Sequence, residues 1–261
     1  MKFGACCSAD IERVRILKQL GYDYAEGGCG AISSLSDDDF EIFYTEFLKI
    51  NLPMPVANGF FPSEIKLAGP QSNKKTVEEY LKIFFKRADL LGIEKVIFGS
   101  GGARNIPDSM SINDGIDEII WDLKNIICPI AAEHKITVVI EPLRKEECNI
   151  FNTVRESVEI IKQTKIENLK VLADVYHMIC MSEPLDSIKR LNGILVHAHT
   201  SNPVGGNTRR VYPKQNDGFN QKDFISNLIS AGVETCSVEA GTENFFEDAK
   251  NALPVLKAAL E

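Results

Sequence analysis

Glu141, Asp174, His199 and Glu239 share a context: each ends or directly follows a short apolar run. The runs read Val138-Val139-Ile140-Glu141, Val171-Leu172-Ala173-Asp174, Leu195-Val196-His197-Ala198-His199 and Cys236-Ser237-Val238-Glu239. A carboxylate flanked by Val and Ile is costly to bury without a partner. Three of them converging on one place would also repel one another. Protonation relieves them, and so does a cation. With one neutral imidazole they make a three-oxygen, one-nitrogen donor set that suits Mn²⁺, Mg²⁺ or Co²⁺, with Zn²⁺ also admissible. A single Glu at the end of a run reads more simply as a helix cap or ion-pair partner. Four in a row at the same relative depth favour one shared metal centre.

The elements that must position these residues alternate regularly. Apolar runs occupy residues 2–6, 22–26, 54–58, 95–99, 137–141, 171–174, 194–199 and 236–239. They are rich in Val, Ile, Phe and Ala and do not alternate with polar residues, as buried parallel strands do not. Amphipathic stretches lie between and after them at 11–20, 38–50, 76–91, 116–134, 154–163, 184–190, 221–231 and 246–260. Gly21 and Gly92 follow two of these as C-cap signals. Eight strand–helix units in 261 residues predict an α/β fold of one domain over 1–261, a closed (β/α)₈ barrel. A doubly wound open sheet is the alternative, and the Cys6-Cys7-Ser8-Ala9-Asp10 turn lacks its glycine-rich signature. In a barrel, chemistry sits at the C-terminal strand ends, where the four residues fall.

Other residues carry weaker signals. His197 and His199, two apart on a strand, face the same way, and His197 reads as a satisfied core histidine. His177 either donates to a substrate oxygen or is a loop histidine. His134 reads as favourable charge near a helix C-terminus. Gly99-Ser100-Gly101-Gly102-Ala103-Arg104 could cradle a phosphate, but it has no P-loop lysine and reads rather as a plain flexible loop. Phe60 and Phe61 line a pocket or pack, and Trp121 is expected to pack on its helix. Seven cysteines without a C-x-x-C pair read as reduced thiols, and neither Cys6 nor Cys180 has a base at a fixed spacing that would make it a nucleophile.

In combination, Ile140-Glu141-Pro142-Leu143, Leu172-Ala173-Asp174-Val175-Tyr176-His177-Met178, His197-Ala198-His199 and Val238-Glu239 resemble the xylose-isomerase-like TIM-barrel superfamily. The likeness is closest to its sugar isomerase/epimerase branch, which includes the D-tagatose and D-psicose 3-epimerases. It is strongest from about Lys135 to Gly241. The resemblance implies that Glu141, Asp174, His199 and Glu239 hold one divalent ion. It also implies that Glu141 and Glu239 act as an acid/base pair on opposite faces of the carbon beside the carbonyl. Glu147 and His177 match residues that contact substrate, and Asn152-Thr153 also follows the pattern. Two departures concern substrate identity. The branch carries an Arg six residues past the metal His, where this chain has Gly205; Arg209 and Arg210 are the candidates to replace it. Arg144-Lys145-Glu146 differs from the Asn-Arg-aromatic run of the epimerases. The superfamily's endonuclease IV-type repair enzymes need extra histidines on early strands. All four His here lie after residue 130, and the early strand ends offer Glu26, Asn58 and the loop at 99–104 instead.

Composition narrows the classes further. A net charge of −8 argues against nucleic-acid partners, whose phosphates call for clustered Lys and Arg. No apolar run approaches the roughly 18 residues of a membrane span, and the N-terminus lacks a signal peptide's apolar core, so a cytoplasmic protein is expected. The expected activity is a metal-dependent isomerisation or epimerisation of a small sugar or sugar phosphate. It would proceed by proton transfer beside a metal-chelated carbonyl, through an enediolate. A hydroxypyruvate-isomerase-like or dehydratase activity, or a non-catalytic sugar-binding barrel, are the alternatives. The resemblance further implies a homo-oligomer, dimer or tetramer.

Overall fold

A computed structural model describes residues 1–204, 209–216 and 218–261. Eight parallel strands close into a barrel: β1 (Lys2–Ser8), β2 (Tyr24–Gly28), β3 (Val56–Asn58), β4 (Lys95–Phe98), β5 (Thr137–Ile140), β6 (Leu169–Asp174), β7 (Leu195–Thr200) and β10 (Thr235–Val238). Each pairs with its sequence neighbour in the ring, and β10 closes against β1. The remaining two strands, β8 (Asn202–Val204) and β9 (Arg209–Val211), form a separate antiparallel ribbon. A bridge from Val211 to Gly241 ties that ribbon to the end of β10.

The helices form where the sequence caps them. Asp10 accepts from the backbone of Glu12 and Arg13 to start α1 (Ile11–Leu20), and Gly21, at φ 81°, ends it in the left-handed region that glycine enters without strain. The ring continues with α2 (Cys29–Ser34), α3 (Asp37–Ile50) and α4 (Lys74–Leu91). The last turns Val77, Leu81, Phe84, Phe85, Ala88 and Leu91 onto the barrel. After α5 (Gly101–Arg104) and α6 (Ile112–Asp122) come a π-helical segment (Leu123–Ile127) and α7 (Cys128–Glu133). Then follow α8 (Val154–Thr164), α9 (Val175–Cys180), a 3₁₀ turn (Leu185–Ile188), α10 (Gln221–Ser230) and α11 (Phe245–Ala258). Among the described residues no helix is long and apolar enough to cross a membrane.

Two expectations are corrected and one is refined. The stretch 116–134 is helical as expected, in a run that begins at Ile112, but ahead of Pro129, which has no N–H for the carbonyl four residues back, the turn Leu123–Ile127 widens to π geometry. The stretch 184–190 yields only the 3₁₀ turn. Trp121 does not pack inward; it is 52% exposed, with Lys74 Nζ 5.9 Å from its ring centroid. Phe60 and Phe61 do pack, in an aromatic cluster with Tyr80, Phe84, Phe85 and Phe98. His134 caps the end of α7, bonds Asp89 Oδ2 at 2.7 Å and stacks on Phe85. None of the seven cysteines is in a disulfide.

Candidate active site

Strand register brings the four predicted residues together. Asp174 on β6 lies opposite His199 on β7, and His199 lies opposite Ser237, two residues before Glu239. Glu141 follows β5, its N–H donating to Phe98 O; Glu239 follows β10, its N–H donating to Thr200 O. Around His199 Nδ1 stand Glu141 Oε1 at 2.9 Å, Glu239 Oε2 at 3.0 Å and Asp174 Oδ2 at 3.9 Å. One donor atom from each of the four falls within 4.8 Å of every other.

These hard oxygens and one imidazole fit a divalent ion of the Mn²⁺, Mg²⁺ or Co²⁺ kind. Glu239 Oε2 supports the fit: it is a buried oxygen with ion-pair neighbours but no aligned hydrogen bond. Asp174 divides its labour. Its Oδ1 caps α9, accepting from Tyr176 and His177 N–H at 2.7 and 3.3 Å, which leaves Oδ2 for the site. That six-residue helix falls where no amphipathic stretch was expected.

Arg210 reaches the same carboxylates, its Nη1 lying 2.8 Å from Asp174 Oδ2 and 3.0 Å from Glu239 Oε2. Its guanidinium also lies over the Tyr176 ring, as does that of Arg144. The ribbon holds it there, since Gly241 N–H donates to Arg210 O. The neighbouring Arg209 is exposed. Gly205, where the family Arg was sought, lies outside the described residues.

These surroundings drive the carboxylates apart. Burial, and then the nearby Glu239, raise the pKa of Glu141 against the pull of His199. Burial also acts to raise Glu239, but Arg210 and His199 overcome it and hold that carboxyl down at about 2. Asp174 is raised to about 6, chiefly by burial, with Glu239 adding and Arg210 opposing. Burial disfavours a charged His199, yet Glu26, Glu239 and Glu141 raise its pKa well above the ordinary value.

Glu26 is the residue the sequence reading left out of the site. Fully buried on β2, it faces His199 Nε2 through Oε1 at 2.8 Å and His197 Nε2 through Oε2 at 2.9 Å. Burial would raise its pKa, but the two imidazoles hold it well below the carboxylate range. The signal was present, since Glu26 also ends an apolar run.

On the other side of the site, His177 Nδ1 accepts from Arg144 N–H at 3.2 Å. The ring's proton therefore belongs on Nε2, a buried atom with no hydrogen-bond partner, 3.9 Å from Glu147 Oε2. Burial pushes His177 below its ordinary pKa, favouring the neutral ring. Arg144 Nε holds Glu147 Oε1 at 2.7 Å. Asn152 closes this loop by donating to Leu143 O and Cys148 O. Asn58 Nδ2 donates to Glu239 Oε1 at 3.4 Å. The glycine-rich segment is neither an open cradle nor a slack loop. A Cβ on Gly101 would meet Glu147 O and one on Gly102 would meet Ser63, so the chain's own atoms fill that space. The turn plants Arg104, whose Nη1 and Nη2 donate to Phe98 O at 2.7 Å and Glu141 O at 2.6 Å.

D-psicose 3-epimerase of Agrobacterium fabrum (strain C58) is 26% identical to this chain over 208 residues, 77% of this chain and 68% of that protein. The crystal structure of D-psicose 3-epimerase with D-tagatose from Clostridium cellulolyticum H10 superposes with a TM-score of 0.83 at 18% identity, covering 100% of both chains. That of 3-keto-D-glucoside 4-epimerase from E. coli superposes with a TM-score of 0.82 at 16% identity, covering 99% of both. At such identities the structural likeness shows the fold. The family profile described as Xylose isomerase-like TIM barrel matches residues 14–259, nearly the whole chain, and the protein belongs to that family.

Proposed function

We propose that this protein is a metal-dependent sugar epimerase or isomerase acting on the carbon beside a carbonyl. The observation that carries the reading is the convergence of Glu141, Asp174 and Glu239 on His199 Nδ1 within 3.9 Å. The 3-epimerase relatives point to a small ketose as the class of substrate. Glu141, Asp174, His199 and Glu239 would hold the ion. When bound, a divalent ion polarises the substrate carbonyl and acidifies the neighbouring C–H.

The two glutamates differ in the way an acid/base pair requires. Glu239, kept ionised by Arg210 and His199, takes the proton from the carbon beside the carbonyl. The C–H electron pair moves into the carbonyl system and gives an enediolate. Glu141, whose pKa burial and the nearby Glu239 raise, returns a proton from the other face. Return to the same carbon epimerises it; return to the former carbonyl carbon, with the hydroxyl proton of the deprotonated carbon passing to the former carbonyl oxygen, interconverts ketose and aldose. His177 Nε2–H and Glu147 orient hydroxyls at the carbonyl end, and Arg210 takes the place of the family Arg.

Elemental analysis of the purified protein, repeated on Asp174→Ala and His199→Ala, tests the site. The expected result is about one divalent ion per chain, lost in both variants. A folded protein that takes up no ion after loading would sink the reading. Glu239→Gln is expected to fold, yet to exchange no substrate hydrogen with D₂O in a screen of ketoses. A fully active Glu239→Gln would overturn the mechanism.

A further inference from the structure

Beneath the four strand-end residues, a hydrogen-bonded column runs down the barrel interior. Lys95 and Thr235 are the first residues of β4 and β10, at the barrel's N-terminal end. Lys95 Nζ donates to Thr235 Oγ1 and to Val196 O, each at 3.2 Å. Thr235 Oγ1 lies 2.8 Å from His197 Nδ1, and His197 Nε2 lies 2.9 Å from Glu26 Oε2. Glu26 Oε1 then lies 2.8 Å from His199 Nε2. Glu26, His197 and His199 are all fully buried, so no solvent competes for these contacts.

With both imidazoles neutral, donor and acceptor chemistry leaves this column one consistent direction. An ammonium only donates and an ionised carboxylate only accepts. Each imidazole therefore turns an Nε2–H to its own oxygen of Glu26. His197 is left with an Nδ1 lone pair, which the Thr235 hydroxyl fills while its oxygen accepts from Lys95. His199, with Nε2–H committed downward, has only Nδ1 to offer upward, toward Glu141, Asp174 and Glu239.

We infer that Glu26 is a positioning residue, aligned by Lys95, Thr235 and His197, that sets the tautomer and tilt of His199 so that its Nδ1 lone pair serves a divalent ion. The inference rests on the metal reading of the site given above. A partner that orients a metal-bound imidazole typically changes metal affinity by about 10- to 100-fold. Glu26→Gln tests it sharply, because the amide can accept from one imidazole but must donate to the other. If it donates to His199, the ring proton moves to Nδ1 and blocks the ion.

The experiment is a calorimetric titration of Mn²⁺ into wild type, Glu26→Gln and Thr235→Val, with thermal unfolding of each metal-free protein alongside. Nitrogen-15 spectra of the histidines in wild type loaded with Zn²⁺ complete it. Glu26→Gln is expected to weaken Mn²⁺ about 10- to 100-fold, and Thr235→Val to weaken it less, in the same direction. The spectra are expected to show a protonated Nε2 and an unprotonated Nδ1 on His197. A merely structural role for Glu26 would move the unfolding temperature and leave the affinity unchanged, which overturns the inference. So does a wild-type His197 protonated on Nδ1 and not on Nε2. Should Glu26→Gln fail to fold, Thr235→Val and the wild-type spectra still decide. Wild type that binds no Mn²⁺ refutes the metal reading itself, whereas normal wild-type binding with unchanged variants removes Glu26 alone.

Discussion

Gly99→Ala should separate the chemistry of this protein from its stability. Gly99 directly follows β4, and a Cβ built there would run into Glu141 Oε2, well inside the 3.0 Å that real Cβ atoms essentially never breach. Gly99 does not occupy the positive-φ region, so alanine fits its backbone. What must yield is the end of one side chain. To restore ordinary contact the carboxylate retreats by about 1 Å, and a misplacement of that size at a reacting group costs about 100-fold in rate. The stability change should stay within about 1 kcal/mol, since alanine recovers some backbone entropy that glycine loses on folding. The assay is solvent-hydrogen exchange into a ketose substrate, compared with wild type, together with urea unfolding. Gly4→Ala is the control: its Cβ would strike the buried Tyr24 ring, which cannot swing aside, so it should lose about 1–3 kcal/mol of stability. A Gly99→Ala enzyme with wild-type exchange, or one that fails by unfolding as Gly4→Ala does, would refute the reasoning.

Arg104→Met removes a charged donor from the carbonyls of Phe98 and Glu141. It should destabilise the protein by on the order of 3 kcal/mol in urea unfolding. Arg210→Met should raise KM and move the acid limb of kcat/KM to higher pH, because Glu239 loses the cation that lowers its pKa. Arg209→Met, altering an exposed side chain, should leave both unchanged. Asp248 gives a stability prediction with a definite sign. Burial acts to raise its carboxyl, but Thr242 and Lys214 outweigh that and lower it. A carboxyl depressed in the folded state stabilises above its ordinary value of 3.8, and that contribution is lost as pH falls through the folded value. Thr242→Val should therefore narrow the stability difference between neutral and acidic pH, read from unfolding midpoints across the acid range.

The strand ends were legible because an ionisable residue closing a Val/Ile run has few structural excuses. Asp174, His199 and the two glutamates announced themselves by that rule, and the count of eight runs announced the barrel. Glu26 obeys the same rule less plainly, because β2 continues past it through Gly27 and Gly28 and sets its side chain inside the barrel. Arg209 and Arg210 could not be told apart, since neighbours on a strand face opposite ways and only the folded ribbon brings Arg210 onto Asp174 and Glu239. The helix α9 was hidden because its cap, Asp174, is also the last residue of β6. The π turn ahead of Pro129 follows from a single missing N–H, which the apolar pattern of the helix does not register.

The barrel interior shows what the site demands of the fold. Tyr24, Val56, Ile97, Val139 and Leu172 form one apolar cluster there, as stability alone would favour throughout. Above and beside it, Glu26, His197, His199 and Thr235 occupy positions where branched aliphatics would pack. Replacing buried ionic groups together by apolar residues is often neutral or stabilising by about 1–4 kcal/mol, whereas removing one partner alone costs about 3–5 kcal/mol. On that reasoning His197→Leu, which strands Glu26 Oε2 without a donor, should be harsher than the joint change of Glu26 and His197 to aliphatic residues. The joint variant should regain stability while losing its hold on the ion, because His199 would then have no acceptor for Nε2–H. A joint variant that folds but binds the ion more weakly would mark the column as one the site, not the core, requires.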